Sequence, residues 1–265
     1  MKLSVLMSIY KKENSIYFDK ALKSIWDEQV LKPDEIILVK DGKLTNELEK
    51  IIKKWENKIP NILKVVGYED NRGLGYALNY GLKYCNGEYI ARMDTDDIAL
   101  PQRFKKQIEF LKKNKNVDGI GSSAILIDLE DNKIGFKLVE ENIDFNTLIK
   151  KCDIIHPSIM LRKSFFERYG NYNEYFKKSQ DYDLWLRATK EGAILKNIKE
   201  TLIKFRISKN LIKRRKEEQK YNIMIKKQYK KGLEYYISII PNILIIVLPN
   251  FILQILLTIR TKNAK

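Results

Sequence analysis

Residues 89–97 read "YIARMDTDD", a short apolar stretch that runs directly into three aspartates. This pattern predicts a buried strand over 89–93 that ends at the carboxylates. Asp94, Asp96 and Asp97 repel one another at such spacing, in a chain whose formal net charge is +16. Two interpretations are open: a cation or ligand holds the three together, or they form a solvated acidic turn. The sequence on either side of the cluster decides between these two interpretations.

Three more stretches upstream are short, apolar and β-branched, as buried parallel strands should be. These stretches are 3–9, 35–40 and 63–67. After each of them the apolar residues recur at helical spacing, over Phe18–Trp26, Leu44–Trp55 and 74–84. The first of these helices has a cap candidate at Asn14 or Ser15. The resulting βαβαβαβ order predicts an α/β fold with a Rossmann-like, mostly parallel sheet and helices on both faces. Ligands bind such sheets at the carboxyl ends of the strands, where Asp41 and Asp94 lie.

Beyond the acidic cluster the pattern becomes more mixed. It predicts a helix at about 101–114 that starts at Pro101, two strands at 117–128 and 133–139 that pair with each other, and a helix around 180–191. The composition turns strongly basic near 205–210. We therefore expect one domain over 1–207 and an appendage over 208–265.

Scarce histidine and cysteine exclude several kinds of metal site. The single histidine, His156, rules out a two-histidine zinc helix and a conventional zinc finger. Cys85 and Cys152 match no metal spacing and are expected to be reduced thiols in a cytosolic setting. Carboxylates are left as the acid–base groups. An Asp-x-Asp at a strand end suits a divalent cation that bridges two phosphates, because hard cations prefer oxygen ligands.

A glycine-rich turn adds a second feature on the same edge of the predicted sheet. "NRGLG" at 71–75 opens a helix whose free N–H groups are expected to attract an anion. Taken singly it is equally consistent with an ordinary glycine turn. Together with Asp41 and the acidic cluster, it favours a binding site for a phosphate-bearing ligand.

Six segments then resemble, in order and spacing, family 2 glycosyltransferases with the GT-A fold. They are "SVLMSIYKKEN" (4–14), "ILVKDG" (37–42), "NRGLGYALNYGL" (71–82), "EYIARMDTDD" (88–97), "HPSIMLRK" (156–163) and "SQDYDLWLR" (179–187). The chain is most similar to the bacterial members that build exopolysaccharide, capsule or lipopolysaccharide side chains. The resemblance covers 1 to about 207 and implies a nucleotide-sugar half over about 1–97 and an acceptor half over about 98–207.

The resemblance implies a role for each matching residue. The residues expected to bind the nucleotide sugar are Ser8, Tyr10, Glu13, Asp41 (near uracil) and Asp94 (at the ribose or the metal). Apart from the resemblance, Arg72 suits contact with a phosphate of the nucleotide sugar, although an exposed arginine needs no such explanation. Asp96 is expected to bind Mn²⁺ or Mg²⁺ on the donor diphosphate, and His156 to contact the metal or the diphosphate, although a lone histidine is also typical of a structural position.

Asp181 occupies the position of the family's catalytic base. Members often have Glu-Asp where this chain has Gln180-Asp181, and Asp-Asp-Gly where it has Lys40-Asp41-Gly42. A glutamine side chain takes no proton, so Asp181 is the base candidate in this motif. An inverting transfer needs one base for the acceptor hydroxyl and a Lewis acid for the departing diphosphate, and it needs no nucleophilic side chain.

These residues predict an inverting, metal-dependent glycosyltransferase that uses a nucleotide sugar, UDP-linked, and a glycan or lipid-linked acceptor. One alternative is a sugar nucleotidyltransferase, which would carry a glycine-rich basic N-terminal loop, whereas "SIYKKEN" has no glycine. Another is a nucleic-acid-binding protein, which predicts basic residues interleaved with aromatics. Here the charge is concentrated beside an apolar segment, so we expect no nucleic-acid partner.

The appendage combines that charge with an uncharged run. Residues 209–231 hold ten Lys/Arg against Glu217 and Glu218, which gives +8, half of the +16. Residues 237–259 carry no charge over 23 positions, whereas a bilayer span needs ~20. A basic segment followed by an apolar one indicates a surface of anionic lipids.

Two observations argue against a simple span. Pro241 and Pro249 interrupt the run, and a single crossing would leave Arg260, Lys262 and Lys265 on the far side, against the positive-inside tendency. A dip, a broken helical hairpin or an interfacial helix keeps both basic flanks on one side. We therefore predict a cytoplasmic protein held peripherally or monotopically on the inner face of the cytoplasmic membrane. The alternative is an apolar helix that docks on the catalytic domain.

Overall fold

The computed structural model describes residues 2–208, 210–254 and 256. The first half contains β1 (Leu3–Ile9), α1 (Ser15–Ile25), β2 (Glu35–Asp41), α2 (Asn46–Lys58), β3 (Leu63–Tyr68), α3 (Leu74–Leu82), β4 (Tyr89–Arg92), β5 (Ile98–Ala99), α4 (Arg103–Lys113) and β6 (Gly119–Ile127). The second half contains β7 (Lys133–Lys137), β8 (Asn142–Ile143), α5 (Phe145–Lys150), a 3-10 turn (His156–Ser158), β9 (Met160–Arg162), α6 (Lys163–Tyr169), α7 (Gln180–Lys190), β10 (Leu195–Arg206), α8 (Leu211–Tyr229) and α9 (Gly232–Val247).

The first four strands predicted from the sequence form one parallel unit in the order β3-β2-β1-β4. The strands are built from Ile, Val and Leu because both faces are covered. The helix after β1 begins at the cap expected for it: the side chain of Asn14 accepts hydrogen bonds from the N–H groups of Ile16 and Tyr17. The α/β fold and this part of its topology are therefore as the sequence predicts.

The sheet separates two hydrophobic cores, because successive side chains of a strand point to opposite faces. Leu3, Val5 and Met7 of β1 face the core in which α1, α2 and α4 pack. Leu6, between them, faces the core that holds α3 and α7. Both cores reach the carboxyl edge of the sheet, so the elements that follow the strands there are fixed from two sides.

The rest of the sheet is mixed. β9 runs antiparallel to both β4 and β6, and β10 runs parallel to β6, so the full order is β3-β2-β1-β4-β9-β6-β10-β5. The pairing expected for 117–128 and 133–139 exists as the antiparallel pair β6–β7. Our sequence patterns did not predict β10, because charged residues interrupt its apolar positions and its register shifts twice against β6.

The appendage forms a helical hairpin, α8–α9, that packs against the preceding domain. Ile225 is fully buried in the same core as Trp185, and the ring of Tyr229 lies 5.7 Å from that of Phe145. The Ser179 hydroxyl donates a hydrogen bond to the carbonyl of Glu218 at 3.4 Å. The hairpin thus shares a core with the domain rather than standing apart from it.

Helix α9 has the interruption that its sequence implies. Pro241 lies inside it, and the helix ends at Val247, two residues before Pro249. In the part of the chain that is described, no helix is both long enough and apolar enough to cross a membrane. The expected basic flank of Arg260, Lys262 and Lys265 lies outside the described residues.

A glycine in α3 provides a test of how closely this helix approaches the sheet. A Cβ on Gly81 would lie 2.5 Å from Leu6 Cδ1 and 2.7 Å from Val39 Cγ2. Gly81→Ala should therefore destabilise the protein by ~1–3 kcal/mol through overpacking, although alanine favours a helix by about 1 kcal/mol. Urea unfolding measures the effect. Gly75→Ala is the control in the same helix, because its Cβ would meet Gln180 Cγ at an ordinary 3.6 Å. A stabilised Gly81→Ala protein would contradict this packing.

Candidate active site

A cleft of about 1480 Å³ lies at the carboxyl edge of β4. Five of the residues singled out in the sequence line it, from four separate segments of the chain: Glu13, Asp94, Asp96, His156 and Asp181. The remaining four do not line it: Ser8, Tyr10, Asp41 and Arg72. The fold thus assembles the predicted metal and base candidates in one cavity and places most of the predicted nucleotide-binding residues beside it.

The acidic cluster follows β4 directly. Asp94, Asp96 and Asp97 each offer one carboxylate oxygen, and these oxygens lie within 4.8 Å of one another. Asp94 forms an ion pair with the buried guanidinium of Arg92, the last residue of β4. The cluster is therefore a fixed feature at the end of a strand, and the interpretation as a merely solvated turn does not account for its burial.

A residue from the far end of the domain holds this turn. The N–H of Arg206, at the end of β10, donates to Asp97 Oδ1 at 2.8 Å, and Arg206 Nε donates to the carbonyl of Asp96 at 2.8 Å. The same guanidinium pairs with Asp131 at 2.5 Å and lies 4.0 Å from the ring of Tyr17. Sequence reasoning did not find Arg206, because nothing local to it indicates the contact.

The electrostatics of the cluster favour a bound cation. Burial, together with the charge of Asp94, raises the pKa of Asp96 to about 6. Burial and the charges of Asp96 and Asp94 raise the pKa of Glu13 to about 7, and the same causes raise that of Asp97 well above its usual range. Each shift reflects burial first and the neighbouring negative charges second, and a bound cation would act against both causes.

The donor set fits a hard divalent ion. Asp97 is only 1% exposed, and its buried Oδ2 has no hydrogen-bond partner among the described residues. A cation held by Asp94, Asp96 and Asp97 would satisfy that oxygen and offset the repulsion among the three. Asp97 belonged to the quoted motif but was not assigned as a ligand, so the structure adds it to the candidate set.

Asp41 occupies a tight corner next to the cleft and is only 4% exposed. Its carboxylate accepts hydrogen bonds from the Tyr68 hydroxyl at 2.9 Å, from Asn71 Nδ2 at 2.8 Å and from the N–H groups of Arg72 at 2.7 Å and Gly73 at 3.1 Å. Asp41 therefore takes the N–H groups of Arg72 and Gly73, which precede the first helical residue of α3. The expectation that the free N–H groups at the start of this helix attract an anion stays a prediction.

The neighbouring nucleotide-binding candidates lie at the rim. The guanidinium of Arg72 stacks 3.5 Å above the ring of Tyr76. Ser8 lies near the end of β1, and Tyr10 follows it in the loop that leads to Glu13. Burial and the charges of Glu13 and Asp96 raise the pKa of Tyr10.

Asp181 faces the cleft from the first turn of α7. Ser179, the residue before the helix, has a left-handed conformation with φ of 58°. Burial raises the pKa of Asp181, whereas the N–H of Tyr182 and the charge of Arg92 act in the opposite direction. A carboxyl group with a raised pKa in a cleft suits a general base.

His156 lies in the cleft wall but outside the acidic cluster. Its Nε2 is 2.9 Å from the hydroxyl of Tyr172, and its ring meets Trp185 edge-on with the centroids 6.1 Å apart. Burial, then the charge of Arg92, holds the pKa of His156 well below its usual value, so the ring is neutral. Among the described residues, the side chains close enough together to share a metal ion are Asp94, Asp96 and Asp97, and His156 is not one of them. The geometry thus gives its assignment as a metal ligand no support.

The hairpin supplies a wall of the cleft that our sequence patterns did not predict. The helical-hairpin residues Arg214, Glu218 and Lys226 of α8 and Asn242 of α9 all line it. The charge of Arg214 even reaches Asp96, whose pKa it lowers. Helical spacing alone shows that positions 211, 215, 218, 222 and 226 share one side of α8. It does not show what that side faces.

Comparison with known proteins agrees with this geometry. Residues 4–170 match the family model described as "Glycosyl transferase family 2". The chain is 36% identical over 243 residues to an Escherichia coli protein named "UDP-Gal:alpha-D-GlcNAc-diphosphoundecaprenol beta-1,3-galactosyltransferase". This alignment covers 89% of this chain and 86% of the Escherichia coli protein. It is 35% identical to "Amylovoran biosynthesis glycosyltransferase AmsE" of Erwinia amylovora, over 80% of this chain and 79% of that one.

The fold is also similar to a solved structure. "Mannosyltransferase PcManGT from Pyrobaculum calidifontis in complex with GDP-Man and Mn2+" superposes with a TM-score of 0.67 at 15% identity, over 91% of this chain and 68% of that one. At this identity the likeness shows the shared GT-A fold.

The acidic cluster predicts how the protein binds manganese. Asp96→Asn removes a ligand and a charge, so Mn²⁺ affinity in the presence of UDP should fall by at least about 10–100-fold, the loss typical even for an outer partner of a metal ligand. Titration followed by the EPR signal of free Mn²⁺ measures it. Asp70→Asn is the control, because it removes the same charge at an exposed position outside the cleft. Equal Mn²⁺ binding by Asp96→Asn and the unchanged protein would exclude the cluster as the metal site.

Proposed function

Because the chain belongs to glycosyl transferase family 2, we propose that it is an inverting, metal-dependent enzyme that moves a sugar from a UDP-linked donor to a glycan or lipid-linked acceptor in cell-surface polysaccharide biosynthesis. The observation that carries this proposal is the placement of Asp181 and the acidic cluster in one cleft. Family membership favours this function over a sugar nucleotidyltransferase or a nucleic-acid-binding protein.

The chemistry assigns one task to each part of the cleft. The acceptor hydroxyl oxygen forms a bond to the anomeric carbon of the donor sugar while the bond from that carbon to the nucleotide's phosphate oxygen breaks. Asp181 takes the hydroxyl proton, and attack from the face opposite the nucleotide inverts the anomeric centre. A divalent cation bound by Asp94, Asp96 and Asp97 would stabilise the negative charge of the departing diphosphate.

The donor nucleotide lies, in this proposal, across the rim formed by Ser8, Tyr10 and the corner of Asp41 and Arg72. Both carboxylate oxygens of Asp41 already accept hydrogen bonds from its own chain. Asp41 therefore shapes the 71–73 loop, and contact with uracil requires one of those bonds to be exchanged. Uridine as the nucleoside is supported by the name of the Escherichia coli relative, which includes UDP-Gal.

The hairpin attaches the enzyme to anionic lipid in this proposal. One side of α9 exposes apolar residues at helical spacing: Leu233, Tyr236, Ile237, Ile240, Leu244 and Val247. Helix α8, which packs against α9, carries most of the basic segment that supplies +8 of the net charge. An apolar stripe beside clustered lysine and arginine matches the two attractions that bind a helix to a negatively charged bilayer surface.

Loss of the base should separate turnover from donor binding. With a donor found by screening a panel of nucleotide sugars, Asp181→Asn should lower turnover by ~10²–10⁴-fold and leave donor affinity nearly unchanged. In the unchanged enzyme, turnover should fall as the pH drops through a value above 3.8, because burial raises the pKa of Asp181 from there. Turnover and the donor Kd across pH 4–8 measure both effects.

Asp183→Asn is the matched control, because Asp183 lies on the same helix but does not line the cleft. Its carboxylate instead lies 4.0 Å from Arg187 Nε. A near-normal rate for Asp181→Asn would refute its role as base. Transfer with retention of the anomeric configuration, seen by NMR of the product, would refute the inverting mechanism.

Membrane attachment is tested on the exposed stripe. The double variant Ile240→Asn/Leu244→Asn should bind vesicles that contain phosphatidylglycerol about tenfold or more weaker, because burying each such side chain contributes ~1.5–3 kcal/mol. Vesicle sedimentation of the full chain measures it. Ile16→Asn is the control: Ile16 of α1 is 62% exposed, against 51% for Ile240, but lies outside the hairpin. Unchanged sedimentation of the double variant would show that α9 does not face the lipid.

A further inference from the structure

Gln180 lines the cleft but takes no part in the reaction described above. It is the first residue of α7, immediately before Asp181. Its side chain is only 5% exposed, and among the described residues its Oε1 is buried without a hydrogen-bond partner. A buried polar atom without a partner costs free energy, so a native protein that keeps one needs a reason for it.

The other buried glutamines that the structure describes show what a structural amide does in this protein. Gln29, also 5% exposed, donates from Nε2 to the carbonyls of Ser24 at 2.8 Å and Leu100 at 2.9 Å, and its Oε1 accepts from the N–H of Phe104 at 3.4 Å. Gln107 likewise donates from Nε2 to two carbonyls and accepts from Arg103 Nε at 3.2 Å. Both amides are fully used inside the protein. The amide oxygen of Gln180 is left over for something else.

The side chain of Gln180 lies between the donor rim and the base. It packs against the first turn of α3, because a Cβ on Gly75 would lie 3.6 Å from Gln180 Cγ. Leu74, in the same turn, lines the cleft, and the loop before it closes on Asp41. On its other side Gln180 is followed directly by Asp181.

The proposed reaction puts the transferred sugar into this interval. Its anomeric carbon is bonded to the nucleotide's diphosphate on one side and is attacked from the other by the hydroxyl that Asp181 deprotonates. The rest of the sugar carries hydroxyl groups, and each of them both donates and accepts hydrogen bonds. A sugar hydroxyl therefore offers the donor that Oε1 lacks. The last torsion of a glutamine side chain is soft, so a small rotation presents the amide to the cleft.

The turn that carries Gln180 is held in place. Ser179, just before it, has φ of 58°, a conformation that a residue other than glycine keeps only where its surroundings enforce it. The Ser179 carbonyl accepts from the N–H of Asp183 at 3.0 Å, and its hydroxyl donates to the carbonyl of Glu218 at 3.4 Å. An amide on a fixed turn distinguishes ligands by geometry better than a mobile one does.

We propose that Gln180 is a specificity-determining residue of the donor site, where its amide binds a hydroxyl of the transferred sugar. This contact satisfies Oε1. A sugar that lacks the hydroxyl leaves Oε1 unpaired in the loaded cleft, and sites built to bind a hydroxyl reject such an analogue. Because glutamine is neutral, it adds no charge beside Asp181. The inference rests on the proposed function, since it names a contact within the donor site of that reaction.

The difference between UDP and a UDP-hexose isolates this contact. The probe is whichever of UDP-galactose, UDP-glucose and their two N-acetylhexosamine counterparts binds the full chain most tightly with Mn²⁺ in calorimetry. Gln180→Leu should weaken the probe by about tenfold and leave UDP unchanged, because one buried hydrogen bond is lost. Gln180→Glu should retain the probe, since a carboxylate oxygen also accepts from a hydroxyl. An unchanged ratio of the two Kd values in Gln180→Leu would overturn the proposal.

Stability in urea distinguishes an amide kept for a ligand from a structural one. Gln180→Leu should keep or raise the urea midpoint of the free protein, because leucine replaces an oxygen that has no partner. Gln29→Leu is the matched control: it is equally buried, but its loss leaves two carbonyls and an N–H unpaired. Its midpoint should fall while its Kd ratio stays unchanged. A fall as large in Gln180→Leu would show a structural role and overturn the proposal.

Deoxy analogues of the probe identify the hydroxyl. One of the analogues that lack a single hydroxyl should bind the unchanged chain about tenfold more weakly than the probe does. The same analogue and the probe should bind Gln180→Leu equally, because the two changes remove the same hydrogen bond and are therefore not additive. If every analogue loses the same factor in both proteins, Gln180 contacts none of these hydroxyls and the proposal fails.

Binding of UDP with Mn²⁺ to the unchanged chain separates this inference from the proposed function. If neither UDP nor any of the four UDP-hexoses binds, the proposed function is overturned. If UDP and the probe bind, and Gln180→Leu binds both as the unchanged chain does, only the inference about Gln180 is overturned. If UDP binds and none of the four UDP-hexoses does, the cleft beside Gln180 holds no such sugar, and the inference fails as well.

Discussion

The repulsion among three carboxylates at the end of β4 is the constraint on which the site depends. Asp94, Asp96 and Asp97 lie within 4.8 Å, largely out of water, where like charges interact far more strongly than in bulk solvent. Two buried arginines offset it: Arg92 pairs with Asp94, and Arg206 holds the backbone of the turn. In the part of the chain that the structure describes, neither arginine donates a hydrogen bond to Asp97 Oδ2, so the compensation is incomplete. An incomplete balance of this kind is what a site for a cation requires.

The same constraint explains why the two halves of the domain cannot be separated without loss of the site. The carboxylates come from the parallel half of the sheet, and Arg206 comes from the last strand of the mixed half. Between β4 and that strand, β9 and β6 complete the hydrogen-bonded path. Asp181 enters from a helix that packs in the core on the opposite side from α1. The geometry of the site is therefore set by the whole sheet.

Charge is distributed unevenly over the wall of the cleft. The part of the wall that follows β4 carries the carboxylates Asp94 and Asp96, whereas α8 contributes the cations Arg214 and Arg215. Much of the excess positive charge lies on α8, which has one side on the cleft and packs against α9, whose exposed stripe is apolar. This arrangement places a helix with an exposed apolar stripe and a wall of the cleft in one hairpin. The hairpin is thus a structural part of the enzyme as well as its proposed membrane attachment.

The local sequence pattern by itself determined the parallel strands of the core and the acidic residues at the carboxyl end of β4. Alternating strands and helices, the Asn14 cap and the acidic end of β4 all depend on residues close in the chain, and their spacing follows directly from strand and helix geometry. Only the tertiary structure decided that Arg206 holds Asp97 across 109 positions, that Asp41 takes the N–H groups of Arg72 and Gly73 just before α3, and that the tail lines the cleft. The physical reason is that periodicity shows which face of an element is apolar or charged. The partner of that face depends on how distant elements pack.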